Sequence, residues 1–358
     1  MFKFKKSLLK ISCLSFVVAT SCSTKDRHDV TSGEKIVNLD QFEVVDMSHS
    51  GKLITDNPDI LGIVSAIEVI DDSLVAICQN SANAHVILYN LTSDSSQIAM
   101  TRGEGPNEML RVSSMSSTAD GDLCLVGMMD KKVMKVRWQD NESRASVVPL
   151  FRLPEDFLRG VANSKGGVIG LPTGLHNFRL YETDSDGTLI DSMGNYPNVK
   201  MPEGVCPNNF MFQSDIGISP DANMIVIACK SWNYIDVVYP KTKQSICLNM
   251  PVDEPIELNK YEIGQAVSYN PKPFWLMFSN VDISDKSFFV GYLGVKVESP
   301  EDLNKNMTSV LEFDLNGNPT RRLEFGNELV AFSVSKNGDK LYTVENAPDP
   351  TLYEYTLN

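Results

Sequence analysis

The sequence predicts an all-β protein built as a six-bladed β-propeller of four-stranded blades, the last blade closed by an amino-terminal strand. Three observations point there. Helical periodicity is nearly absent beyond Cys22, and short β-rich apolar runs recur to the end of the chain, punctuated by Asp, Asn and Gly. A unit of two successive hairpins also repeats at intervals of about 45 to 64 residues, the period of a propeller blade with insertions. At 358 residues the chain is long enough for one large repeat domain with an ample core.

The amino terminus comes first. Lys3, Lys5, Lys6 and Lys10 form a positive region, and Ile11 to Thr20 is an apolar run too short to span a bilayer, which takes about 20 apolar residues. Ala19-Thr20-Ser21-Cys22 resembles a bacterial lipobox, in which the Cys22 thiol accepts a diacylglycerol before cleavage. Residues 1–21 are therefore expected to be a lipoprotein signal peptide and 22–33 a polar, lipid-anchored tether, leaving 34–358 as the propeller. One acyl chain holds a protein only marginally, at about 0.8 kcal/mol per buried CH₂, whereas the several chains the resemblance implies would hold it permanently. Ser23 stands where an aspartate would favour retention at the inner membrane, so the resemblance implies the outer membrane, with the leaflet open.

The first hairpin of each unit reads six times. It runs through Ala66 to Ile70 before Asp71-Asp72, Ser113 to Thr118 before Asp120-Gly121, and Gly160 to Asn163 before Lys165-Gly166. It continues through Gly217 to Ser219 before Pro220-Asp221, Val281 to Ile283 before Ser284-Asp285, and Phe332 to Val334 before Asn337-Gly338. The second hairpin follows as His85 to Tyr89, Val133 to Trp138, Phe178 to Tyr181, Ile235 to Tyr239 and Val310 to Phe313, each ending in turn residues. The sixth unit stops after three strands, and the strand-like run Ile36 to Val45 is expected to supply the fourth and hide the open edge. Two β-sandwich domains or a seven-bladed ring are the alternatives.

Arg102-Gly103-Glu104-Gly105-Pro106-Asn107-Glu108, after the fourth strand of the first unit, resembles the Gly-x-Gly-Pro-Gly-Glu turn of TolB-like six-bladed propellers found in bacterial envelope lipoproteins. Asn107 replaces the third glycine, and asparagine is the next most tolerant of positive φ. The resemblance implies fold and envelope location and says little about chemistry. A phosphate cradle is disfavoured, because Met109 to Ser117 has no helical face behind the glycines.

Composition and motif content bound the function. The net charge is −14, with 46 acidic against 32 basic residues, which repels phosphate backbones and argues against nucleic acid. Cys78, Cys124 and Cys229 lie in apolar runs and are expected to be buried thiols; no CxxC pair occurs, and a disulfide framework or metal site is disfavoured. Asp184-x-Asp186-Gly187-x-x-x-Asp191 has the acids of a calcium loop, but Asp314-x-Asn316-Gly317 repeats it with fewer, as a tight turn would. No GxSxG elbow or paired-histidine motif appears, so no catalytic residue, metal or cofactor is assigned.

The expectation is thus a non-enzymatic outer-envelope binding or interaction module for a glycan, peptide or protein partner, with a monomeric body. The rival is a propeller hydrolase, lyase or lactonase with its site at the ring centre; a scaffold subunit is a third. Insertions at 194–214 and 251–280 are expected to gather at one mouth of the ring and form a binding face. The candidate ligand-binding residues are Arg102, Arg159, His176, Asn209, Phe210, Gln213, Trp232, Tyr234, Trp275 and Phe278, against the alternative that the aromatics merely pack the loops onto the blades.

Overall fold

The computed structural model describes residues 32–79, 84–174, 176–263, 266–346 and 348–357. The signal peptide and Cys22 lie outside them. Three strands open the described chain: β1 (Ser32–Ile36), β2 (Glu43–Asp46) and β3 (Lys52–Thr55), followed by one helical turn, α1 (Pro58–Leu61). The repeat then begins. β4 (Val64–Asp71), β5 (Leu74–Gln79), β6 (Val86–Asn90) and β7 (Ser95–Arg102) form an antiparallel meander, and the two-residue β8 (Glu108–Met109) lies parallel to β7. The next sheets are β9 (Val112–Ser117) to β10 (Leu123–Gly127), β11 (Lys132–Arg137) and β12 (Ser146–Arg152), then β13 (Phe157–Ala162) to β14 (Val168–Pro172), β15 (Leu180–Thr183) and β16 (Leu189–Met193). A further meander holds β17 (Ser214–Ile218), β18 (Ile225–Cys229), β19 (Tyr234–Tyr239) and β20 (Gln244–Asn249), with β1 added outside β20.

The hairpin β21 (Glu257–Ile263) and β22 (Ala266–Lys272) stands apart as its own two-stranded sheet. The last sheet strings together β23 (Trp275–Ile283), β24 (Ser287–Lys296), β25 (Met307–Asp314), β26 (Pro319–Val334), β27 (Lys340–Asn346), β28 (Pro350–Thr356) and β3. It is continuous because β26 is 16 residues long, its first part paired with β25 and its second with β27.

Each meander grades from polar to apolar and back for a steric reason. The second strands β5, β10, β14 and β18 are buried along their whole length, since neighbouring sheets cover both faces. Such strands read as unbroken apolar runs, and each buried Val, Leu or Ile contributes about 1.5–3 kcal/mol. Cys78, Cys124 and Cys229 are buried free thiols inside these runs, as the sequence predicts. The first strands are more polar, because one face lines a channel. β4, β9, β13, β17, β23 and β26 neighbour one another in a closed cycle.

That cycle is stitched by side chains reaching from one first strand to the next. The Ser117 amide donates to Glu68 Oε1 (2.6 Å), the Gly160 and Ala162 amides to Ser114 and Ser116 Oγ (2.8 Å each), and Arg159 Nε to Asp215 Oδ1 (2.9 Å). The Asn280 amide donates to Asp215 Oδ2 (3.0 Å), the Val334 amide to Asp282 Oδ2 (2.7 Å), and the Val69 amide to Ser333 Oγ (2.9 Å). Apart from the Arg159–Asp215 ion pair, each stitch satisfies a backbone donor that strand pairing leaves open at the channel wall.

The amino-terminal strands correct two expectations. Residues 36–45 do not pair with β28: β1 runs parallel to β20, with Ile36 opposite Asn249, and β2 runs parallel to β26, with Val44 opposite Arg322. The partner of β28 is β3, with Lys52 opposite Glu354 and Leu53 opposite Tyr353. The physical reason is burial. Val37 and Phe42, between β1 and β2, are both buried, and the Phe42 ring meets Phe313 edge-on at 5.1 Å, which pins this stretch to the core under β25. Ser32 and Gly33, expected in the tether, already pair with Ser245 and Ile246.

Candidate functional site

A cavity of about 500 Å³ opens where the first strands begin. Its polar lining includes Ser65, Glu68, His85, Arg102, Arg111, Arg159, Asp215, Lys230, Asn280 and Asp282. A second cavity, about 620 Å³, opens where the first strands end and is bordered by the turns at Asp71-Asp72, Gly121, Asn163-Ser164, Asp221 and Asp285. Glu68, Met115, Ile216, Val281 and Asp282 line both, so they form the waist of one channel with two mouths.

The motif at 102–108 builds one side of the first mouth. Gly105 N donates to Glu108 Oε2 (2.9 Å), the buried Lys132 donates to the carbonyls of Gly105 and Glu108 (2.7 Å each), and Gly103 N donates to Met109 O (3.2 Å). A Cβ on Gly103 would fall 2.0 Å from Glu108 Oε2, so a side chain there would displace the carboxylate that accepts from Gly105 N. Asn107, contrary to expectation, does not adopt positive φ. The turn carries the chain from outer strand β7 to inner strand β9 and leaves Arg102 and Arg111 exposed at the rim, their guanidinium groups without a hydrogen bond or ion pair among the described residues.

Opposite them, Asp215 accepts from Arg159 Nε and Lys230 Nζ, both at 2.9 Å, and from the Asn280 amide. Although burial opposes ionisation, the adjacent Lys230 and Arg159 charges hold its carboxyl far below the usual range. His85 completes the wall. Its Nε2 accepts from the Val112 amide (3.0 Å), so Nδ1 carries the proton and donates to the Gln79 carbonyl (2.9 Å). Burial pushes the pKa of the ring down, helped by the nearby Arg102 and Arg111 charges.

At the waist, burial pushes the Glu68 carboxyl well up, reinforced by the nearby Asp282 charge, and burial likewise raises Asp282. Both carboxyls are already spent on the ring stitches, Asp282 on the Ser333 hydroxyl (2.6 Å) and the Ile283 amide (2.7 Å) besides Val334.

Of the residues the sequence nominates, Arg102 and Arg159 line the first mouth. The others lie elsewhere. His176 pairs with Glu155 (2.9 Å) and packs on Tyr181, and Asn209 is fully buried, its amide donating to the carbonyls of Pro172 and Arg179. Trp232 is buried against Phe212 and donates to Met211 O (2.8 Å), and Tyr234 joins the same small apolar cluster with Tyr196, Ile256 and Leu258. The two insertions therefore pack partly on each other, which is why these aromatics are unavailable at the mouth. Phe278 is buried beside Tyr292, and Trp275 is half-buried on the same core. Phe210 and Gln213 are exposed on the 194–214 insertion, Gln213 accepting from the Lys230 amide through its carbonyl (2.7 Å).

Sequence reasoning missed Arg111, Lys230, Asp215, Glu68 and Asp282. A positional signal exists. Mouth residues lie just before or early in a first strand, as Arg111 and Asp215 do, or just after a second strand, as Lys230 does. The supposed calcium loop is a turn: Asp184 Oδ1 accepts from the amides of Asp186 and Thr188 (2.9 Å each), Gly187 takes φ +81°, and Asp191 pairs with Lys243 (2.6 Å).

Similar chains occur among solved structures. A crystal structure of a candidate exported protein from Bacteroides fragilis NCTC 9343 superposes with TM-score 0.53 at 14% identity, covering 90% of this chain and 99% of that one. The WD40 β-propeller domain of Doa1 gives TM-score 0.46 at 10% identity, with coverage of 85% and 97%. No curated protein matches in sequence. The TolB-like 6-blade propeller-like family matches residues 64–337, and on that match, over most of the chain, the protein belongs to this family of β-propellers.

Proposed function

We propose that the chain is an outer-envelope lipoprotein, anchored through Cys22, that acts as a non-enzymatic binding module and takes its glycan, peptide or protein partner at the mouth lined by Arg102 and Arg159. In this reading the last sheet is two blades sharing β26, which gives six four-stranded blades, and β3 closes the ring on β28. The observation that carries the reading is the cavity itself. Convergent polar side chains from five different sheets line about 500 Å³, the size and chemistry of a recognition site. The rival enzyme reading draws less support, because the central carboxyls Glu68 and Asp282 are committed to holding neighbouring strands together.

A photo-crosslinking residue placed at 110, on the lining of this mouth, and in a second variant at 337 on the other mouth, tests this in cells. Adducts are expected from 110 and not from 337, in the membrane fraction. With Cys22→Ser the body is expected to leave that fraction or to stay unprocessed. Equal adducts from both mouths, or unchanged lipid labelling of Cys22→Ser, defeats the corresponding half of the proposal.

A further inference from the structure

Resting on the reading that this mouth is the binding site, we infer that its ligand is a small molecule carrying two or more oxyanion groups, gripped by Arg102, Arg111, Arg159 and Lys230. Four cationic side chains line one cavity, and the acid at their level is Asp215, which Arg159 and Lys230 share. Arg102 and Arg111 have nothing to neutralise them among the described residues. Lys243 pairs with Asp191, Lys296 with Glu254 and Lys340 with Glu354, and although other surface cations are also unpaired, Arg102 and Arg111 are the ones that share a cavity with two further cations. In a chain with 46 acidic and 32 basic residues, unpaired guanidinium groups at the end of β7 and just ahead of β9 are brought to one cavity by the turn between them and not by composition.

The deeper carboxyls are turned to the ring, Glu68 to the Ser117 amide and Asp282 to the Ser333 hydroxyl and the Val334 amide, and burial raises the pKa of both. Gathering like charges destabilises the folded chain, and an anionic ligand is what recovers that energy. A guanidinium fork matches a carboxylate or a phosphate with two parallel hydrogen bonds, so the two sources share one recognition chemistry. Neutral sugars fit less well: apart from the His85 imidazole, Phe332 is the one ring in the lining, which leaves no stacking platform. The opposite mouth presents Asp71, Asp72, Asp221 and Asp285 against Lys336, so an anion is drawn to one end of the channel and repelled from the other.

Titration calorimetry on the full-length protein in detergent, with citrate and pyrophosphate as separate probes, tests the inference. At least one probe should bind, more weakly as salt rises, and the stronger of the two identifies carboxylate or phosphate as the group recognised. The double variant Arg102→Ala/Arg111→Ala should weaken that binding about tenfold or more, whereas Lys336→Ala should leave it unchanged. Both arginines are exposed and unpartnered, so the double variant should fold, which an unaltered melting temperature verifies. Failure of both probes to bind, or binding that survives the double substitution, overturns the inference. If crosslinking at 110 still captures a partner in that case, the ligand class falls and the binding mouth stands; loss of crosslinking alongside probe binding strikes the partner reading instead.

Discussion

Single side chains at the channel do two jobs that their residue type alone does not separate. Asp215, Glu68 and Asp282 are all carboxylic acids on first strands, yet Asp215 is held ionised by two cations while burial pushes the other two toward protonation. The consequence is a pH dependence of defined sign. Folded Glu68 keeps its proton to higher pH than the ordinary value of 4.5, so its contribution is full below that value and is lost as pH rises through the raised pKa. Glu68→Gln keeps an acceptor for the Ser117 amide and removes the titration. The variant should match the parent near pH 4 and exceed its stability at pH well above 4.5, measured by denaturant unfolding. A variant that is less stable at both pH values would show that the ionised carboxylate is needed. Depression of Asp215 acts in the opposite direction and in a lower window, below 3.8, so the two effects do not overlap.

Between elements, the same economy appears in a buried ion pair. Arg179, just ahead of β15, is completely buried; it pairs with Asp236 on β19 and donates to Ser214 Oγ (2.6 Å), while its carbonyl receives the Asn209 amide. Three neighbouring segments thus lean on one residue. Arg179→Ala would strand Asp236 as an uncompensated charge and should cost about 3–5 kcal/mol, and adding Asp236→Leu should restore much of it, in a double-mutant cycle followed by chemical unfolding. Equal losses in the single and double variants would assign the effect to packing alone. In the sequence Arg179 reads as one more position of the strand Phe178 to Tyr181, because nothing local distinguishes a charge that turns inward. The second strands are the opposite case. Their unbroken apolar runs were readable at once, since burial on both faces leaves no room for a polar residue.

Across the whole molecule, the amino-terminal segment behaves as a strap over the outer edges of β20, β26 and β28 in turn. Each contact covers a row of backbone groups that would otherwise invite another chain. Deleting residues 52–55 should bare β28, lower the melting temperature and promote concentration-dependent aggregation, read by light scattering. A monomeric deletion variant with an unchanged melting temperature would refute the closing role of β3. The same ring geometry makes the two mouths unlike in charge, cationic where the first strands begin and acidic where they end.

By itself the sequence determined the all-β class, the repeat and the position of its turns, because alternating and continuous apolar runs and Asp-Gly or Asn-Gly corners are local requirements of strands and hairpins. It also carried two of the residues at the mouth, Arg102 beside a glycine-rich turn and Arg159 on a first strand. Tertiary structure alone decided which amino-terminal strand meets β28, since edge pairing is made by backbone groups that 36–45 and 52–55 possess equally. It alone brought Arg111, Asp215 and Lys230 to the mouth beside them, because closing a ring gathers strand ends that lie far apart along the chain.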